Sequence, residues 1–221
     1  MSVIPKFLRR RAFDHGWMPA RRIRALQQIG WIESVKHGRP IDAEHRPVPW
    51  FTYAAISFLD QVVPESANVL EIGGGNSSLW WTARKCHVTV IEEKQIWADE
   101  LRAQGVQDIA VAPSADGVRR LLQNYLESGR SFDVVVVDGI APRDRYLREA
   151  AALVNDNGIL VFDNSDRIAY RPALDGLKSF HRLDFFGIGP QNGYAWATSI
   201  FSRNSITPAG RPEQFLRSID Y

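Results

Sequence analysis

A single cysteine, Cys86, stands in this chain of 221 residues. That excludes an intrachain disulfide and any multi-cysteine zinc site, and a lone thiol fits a reducing, cytoplasmic compartment. Also missing is an apolar run long enough to span a bilayer, which takes roughly 20 residues. Neither sign of charge is in excess: 27 Lys and Arg face 25 Asp and Glu, a formal net charge of +2. No global polycation therefore argues for a nucleic-acid partner. No hydrophobic segment follows Lys6 and Arg9 to Arg11 as it would in a secretory signal. Internal repeats and low-complexity linkers are absent too. What remains is a globular composition, 45% apolar and 24% charged, with enough chain for one sizeable core.

Charge is unevenly spread. Lys6, Arg9, Arg10, Arg11, Arg21, Arg22 and Arg24 face one acid, Asp14, with Ile4, Phe7, Leu8, Phe13 and Trp17 interleaved. Such a segment suits a solvated extension, an organellar presequence, a patch for an acidic substrate, or peripheral membrane contact through residues 1–24. Residues 1–50 are expected to form a basic extension over or beside a cleft, and residues 51–221 the main domain.

After residue 50, strand and helix patterns alternate. Helices are expected over Tyr53–Val63, Ser77–Lys85, Gln95–Ala103, Ser114–Leu126, Arg143–Val154 and around Pro172–Ser179. Strands are expected at Val69–Ile72, His87–Ile91, Asp108–Ala112, Phe132–Val137, Gly158–Phe162, His181–Phe186 and Trp196–Ser202. Repeated strand–helix units imply an α/β fold, a doubly wound and mostly parallel sheet with right-handed crossovers. Residues 187–195 are too few for a crossover helix, so the last two strands should pair antiparallel.

The densest signal is Val69-Leu-Glu-Ile-Gly-Gly-Gly-Asn-Ser-Ser78. A short strand ends in Gly73, Gly74 and Gly75, and Asn76, Ser77 and Ser78 open the next helix. Such a turn is expected to bring unpaired backbone N–H groups to a ligand-binding cleft. Glu92 closes the following apolar run, where a carboxylate can accept from both hydroxyls of a ribose. Asp138 ends the apolar strand Phe132–Val137, and Asp163 followed by Asn164 ends the fifth. Both lie at the carboxyl edge where open α/β sheets bind ligands.

Together, Val69–Ser78, Glu92, Phe132–Gly139 and Gly158–Asp166 resemble a class I S-adenosylmethionine-dependent methyltransferase, over roughly residues 50–203 in motif order. The wording of these segments is similar to a group of small bacterial methyltransferases. The resemblance implies a Rossmann-like, seven-stranded sheet with an antiparallel last strand. It implies that Glu71, Gly73, Gly74, Gly75, Asn76, Ser77 and Asp138 surround S-adenosylmethionine, that Glu92 holds its ribose, and that Ser114 and Ala115 lie by the adenine. Ser114 or Asp116 can instead cap the next helix. Trp97 falls either over the adenine or in the core. Asp138, Asp163 and Asn164 resemble the Mg²⁺ set of cation-dependent O-methyltransferases, although the lysine expected near Asp138 is missing.

Asp138 and Asp163 are thus the expected catalytic residues, with Asp166, His45 and His181 as weaker candidate bases. Gly139-Ile140-Ala141-Pro142 replaces the Asn/Asp-Pro-Pro-aromatic motif of base N-methylation. Arg143, Arg145 and Arg167 on the loops, with His45, Trp50, Tyr53 and the Gly187–Gly193 loop, suit a small polar or anionic acceptor. The expected activity is O-methylation of a small polar or saccharide-like metabolite. A degenerate methyltransferase fold that only binds, an aminopropyltransferase and a nicotinamide dehydrogenase are the alternatives.

Overall fold

Seven runs rich in β-branched and aromatic residues pair into one sheet. They are β1 (Asn68–Ile72), β2 (His87–Glu92), β3 (Asp108–Val111), β4 (Phe132–Val137), β5 (Val154–Asp163), β6 (His181–Gly187) and β7 (Trp196–Ser202). The computed structural model describes residues 24–139 and 141–206. The basic segment at the start of the chain lies almost wholly outside them.

The strand order is β3-β2-β1-β4-β5-β7-β6. β1 to β5 run parallel, and β7 runs antiparallel to both β5 and β6. The reversal follows from the short connection after Gly187, as expected.

Helices cover both faces. One side carries α2 (Tyr53–Val62), α3 (Asn76–Ala83) and α4 (Gln95–Ala103), preceded by α1 (Trp31–His37). The other carries α5 (Ala115–Glu127), α6 (Leu147–Ala152) and α7 (Arg171–Asp175). The central strands alternate between the two faces, as the period of two requires. Phe132, Val135 and Val137 of β4 pack with Leu122 of α5 and Leu147 of α6. Val134 and Val136 pack with Leu59 of α2 and Trp81 of α3. A strand buried on both faces reads as an unbroken apolar run, which explains Val134-Val-Val-Val137.

Three element boundaries differ from expectation. The fifth strand begins at Val154, before the Asn155-Asp-Asn-Gly158 segment assigned to a turn. That segment is a bulge, since Phe132 pairs with Val154 but Val134 pairs with Ile159. Asn155 Nδ2 donates to Asp133 Oδ1 at 2.6 Å and anchors it. The expected helix Arg143–Val154 divides into a 3-10 turn (Arg143–Arg145) and the short α6, because Arg143 turns inward. The helix expected to reach Ser179 stops at Asp175, before Gly176. Among the described residues no helix is long and apolar enough to cross a membrane.

Leu122 is fully buried between α5 and the sheet, whereas Leu183 on β6 is 43% exposed. Leu122→Ala should lower unfolding free energy by about 2–5 kcal/mol. Leu183→Ala should change it by about 0.5 kcal/mol or less. Urea denaturation of both variants checks this ordering.

Candidate functional site

The site is built where β1 and β4 end side by side. Gly73 follows β1 at φ +92°, and a Cβ placed there would lie 2.2 Å from the Asp138 carbonyl oxygen. Gly139 follows at φ +75°, and its Cβ would lie 2.9 Å from the Gly73 Cα. Backbone touches backbone at this point, which side chains on either residue would prevent. A Cβ on Gly74 would sit 2.7 Å from atoms of both Val90 and Leu101, so this glycine seats the loop against β2 and α4. Gly75 is different. Its backbone is extended and a Cβ there would meet nothing within 4 Å.

The loop amides are already engaged, contrary to the expectation of unpaired N–H groups. Gly73 N donates to Ile91 O at 2.8 Å, Gly74 N to Glu92 Oε2 at 2.9 Å, and Gly75 N to Ser78 Oγ at 3.1 Å. The three glycine amides are held by one backbone carbonyl, one carboxylate and one hydroxyl. Glu92 also accepts from Lys94 N at 3.0 Å through Oε1. Each of its oxygens therefore holds one N–H and keeps a lone pair. Ser78 passes the contact inward by donating to Glu71 Oε2. The other oxygen of Glu71 is buried with no hydrogen bond. Burial pushes this carboxyl up from 4.5 to about 8, aided by repulsion from Asp138 and Glu92 and opposed by the Ser77 and Ser78 hydroxyls.

Around this loop lies a cleft of about 400 Å³, lined by Gly73–Ser77, Glu92, Glu93, Trp97, Asp138 and Gly139. Its other wall comes from Gly38, Arg39 and Pro40, which the motif reading passed over, together with Trp50 and, from the Gly187–Gly193 loop, Gln191. Asn76 Nδ2 donates to Pro40 O and ties that wall to the glycine loop. Nothing in the local sequence signals this pairing, because it joins segments far apart in the chain. Trp97 is 51% exposed on the cleft, not in the core, and Trp50 is 43% exposed. A larger cavity of about 520 Å³ opens at the opposite edge of the sheet, beside Asn68, His87 and Arg130. It lies at the amino ends of the strands, whereas open α/β sheets bind ligands at the carboxyl edge, so the cleft around Gly73–Ser77 is the better site.

The two expected catalytic acids diverge. Asp138 lines the cleft, and its Oδ1 accepts from Arg143 Nη2 at 2.8 Å and from Gly139 N at 2.7 Å. Asp163 is buried behind the rim, where Oδ1 accepts from Thr198 Oγ1 at 2.6 Å and Trp196 Nε1 at 2.9 Å. Its pKa is pushed up to about 7 by burial and by the charge of Asp138. Arg143 is not a substrate clamp: it is buried and also donates through Nη1 to Asp163 O at 2.6 Å. The expected Mg²⁺ set does not fit. The cation between β4 and β5 is the Arg143 guanidinium, Asp163 is spent on β7, and Asn164 sits in a left-handed turn at φ +56°.

Other expected residues fall elsewhere. Ser114 caps α5 by accepting from Gly117 N at 3.1 Å, and Ala115 is packed in the core. Asp166 Oδ1 accepts from Ala197 N at 3.2 Å. His181 pairs with Ser202, level with Ile159, so it lies at the far edge of the sheet. Arg145 and Arg167 are exposed outside the cleft lining.

The strand order, with β7 reversed, is that of the Rossmann-like fold of class I S-adenosylmethionine-dependent methyltransferases. A Klebsiella pneumoniae protein provisionally described as an O-methyltransferase superimposes with a TM-score of 0.53 at 17% identity, covering 81% of this chain and 90% of that one. The O-methyltransferase TomG of Streptomyces achromogenes, involved in tomaymycin synthesis and solved in complex with S-adenosylmethionine, gives 0.51 at 20% identity, covering 62% and 73%. No protein-family model and no curated protein matches the chain.

Gly73→Ala should destabilise the protein by about 1–3 kcal/mol, since it demands a positive φ and a backbone clash. Gly75→Ala should leave the denaturation midpoint unchanged. Glu71 generates a pH prediction. Its folded form keeps a proton up to about pH 8, whereas the ordinary value is 4.5. The folded state then binds more protons than the unfolded chain across that window, and stability falls as pH rises through it. Glu71→Gln should flatten the decline, as followed by urea denaturation from pH 5 to pH 8.

Proposed function

We propose that this protein is an S-adenosylmethionine-dependent methyltransferase acting on an oxygen of a small polar or saccharide-like acceptor. The observation that carries the reading is Glu92. Its two oxygens are anchored by Gly74 N and Lys94 N at the cleft floor, which leaves two lone pairs for the vicinal hydroxyls of a ribose. The extended, side-chain-free Gly75 and the exposed Trp97 fit a nucleoside above that floor.

S-adenosylmethionine, when bound, supplies a methyl group on a sulfonium that is already a good leaving group. The chain's task is then alignment and proton removal. Asp138 holds Oδ1 fixed between Arg143 and Gly139 and offers Oδ2 to the acceptor's hydroxyl proton. Asp163 contributes through its backbone carbonyl, which fixes Arg143, which in turn orients Asp138, while its carboxyl is held by Thr198 and Trp196. Arg39 and Gln191 on the opposite wall supply donors for a polar or anionic acceptor. Gly38–Pro40 and Trp50 support the reading of residues 1–50 as a cleft-covering extension on the 51–221 domain. No step requires a divalent ion at Asp138. A binding protein without turnover is the second reading, favoured by the Arg143 contact that occupies one oxygen of Asp138.

Isothermal calorimetry with S-adenosylhomocysteine should show one site of micromolar affinity. Glu92→Ala should weaken it by at least about tenfold, the equivalent of about 1.4 kcal/mol for a lost charge-assisted hydrogen bond. Absence of binding to the unaltered protein would overturn the proposal. Binding without methyl transfer to any acceptor in a metabolite pool would select the second reading.

A further inference from the structure

Away from the rim acids, three metal-ligating side chains converge on the N-terminal segment. Glu33 and His37 lie one helical turn apart on α1, and His45 arrives from the loop that follows. Glu33 Oε2 lies 3.2 Å from His45 Nε2 and 3.6 Å from His37 Nε2. Ligand atoms of all three residues lie within 4.8 Å of one another, and the imidazole rings are 5.0 Å apart. A tetrahedral zinc ion with bonds of about 2.0–2.1 Å holds its ligand atoms about 3.3–3.4 Å apart. The two measured edges bracket that value.

Local structure holds the three in place. Lys36 Nζ takes Glu33 Oε1 at 2.7 Å, which leaves Oε2 turned to both histidines. The loop carrying His45 is closed by an Ile41–Pro47 bridge. Within it Asp42 Oδ1 accepts from Glu44 N at 2.9 Å and Arg46 N at 2.8 Å. His45 itself sits at φ +64°, a left-handed conformation that sends its side chain back toward α1. The side chains of His37 and His45 are 44% and 53% exposed, so an ion has an entry path and room for a water as fourth ligand.

We propose that Glu33, His37 and His45 form a binding site for a divalent transition-metal ion of the zinc class. Two imidazoles and one carboxylate suit zinc and its neighbours. Magnesium and calcium prefer six or more oxygens and would find too few here. The site also has a mechanical consequence. The chain between His37 and His45 contains Gly38, Arg39 and Pro40, which wall the cleft, and Pro40 O receives Asn76. An ion joining α1 to the returning loop clamps both ends of that wall. Metal binding itself is independent of the methyltransferase reading.

The test is titration of the metal-stripped full chain with zinc chloride by calorimetry, alongside thermal unfolding. One saturable site of micromolar affinity or better is expected, with a rise in Tm, and magnesium chloride should give neither. His37→Ala, His45→Ala and Glu33→Gln should each weaken zinc binding by at least about tenfold. His181→Ala, at the far edge of the sheet, should leave it unchanged. Cobalt(II) in place of zinc should give the intense visible bands of a four-coordinate site. Absence of saturable binding, or binding that survives all three replacements, would overturn the proposal, as would a six-coordinate cobalt spectrum. Far-UV circular dichroism of the variants separates lost ligation from lost folding.

Discussion

The contact on which the cleft depends is between two peptide backbones. Gly73 and Gly139 meet at the carboxyl ends of β1 and β4, closer than any side chain would allow. Their approach sets the height of the glycine loop over β2, and so places Gly74 within reach of Glu92. It also presents Asp138 beside the loop instead of behind it. A methyl group at either position would separate the strand ends, and the hydrogen-bonded loop would lose its footing. The sheet supplies the rigidity for this contact, because β1 and β4 are central strands paired on both sides.

Three charged groups buried near the rim are expensive in isolation, and each is handled differently. Glu71 is relieved by retaining a proton, as its elevated pKa indicates. Arg143 is satisfied by Asp138 and by a carbonyl, which leaves only Nε without a partner. Asp163 receives two donors from β7, and so depends on the reversed strand for its solvation. Removing one member of such a set costs more than the set contributes, since an unpaired charge is left in a low dielectric. The antiparallel end of the sheet is therefore part of the site, although it lines none of the cleft through Asp163.

The N-terminal segment couples to this arrangement through backbone as much as side chain. Tyr53 N donates to Ile188 O at 3.0 Å, and Trp31 Nε1 donates to Asn192 O at 3.0 Å. A Cβ on Gly189 would lie 2.2 Å from Phe51 O, so the loop between β6 and β7 is pressed against the entry to α2. The wall formed by Gly38, Arg39 and Pro40 thus rests on the C-terminal hairpin at one end and on Asn76 at the other. An ion at Glu33, His37 and His45 would stiffen that wall by joining α1 to the loop that follows it.

Much of this protein was legible from local pattern alone. Apolar runs bounded by turn and helix signals located all seven strands, the fifth only from Gly158 onward, and the short link after Gly187 forced the antiparallel ending. The glycine triplet and Glu92 located the cleft floor, because chain geometry and chemistry there are dictated within a few residues. The Asn155–Gly158 bulge was misread, since a turn-forming tetrad and a strand bulge use the same residues and differ only in whether Asp133 stands opposite. Arg143 was misread for a related reason: its burial depends on Asp138 and the Asp163 carbonyl closing over it. The pairing of Asn76 with Pro40, the turning of Asp163 toward β7 and the meeting of Glu33, His37 and His45 were decided only by the tertiary structure. Those contacts join strand ends and loops distant in sequence, and their geometry comes from how the layers pack, which no local window of residues encodes.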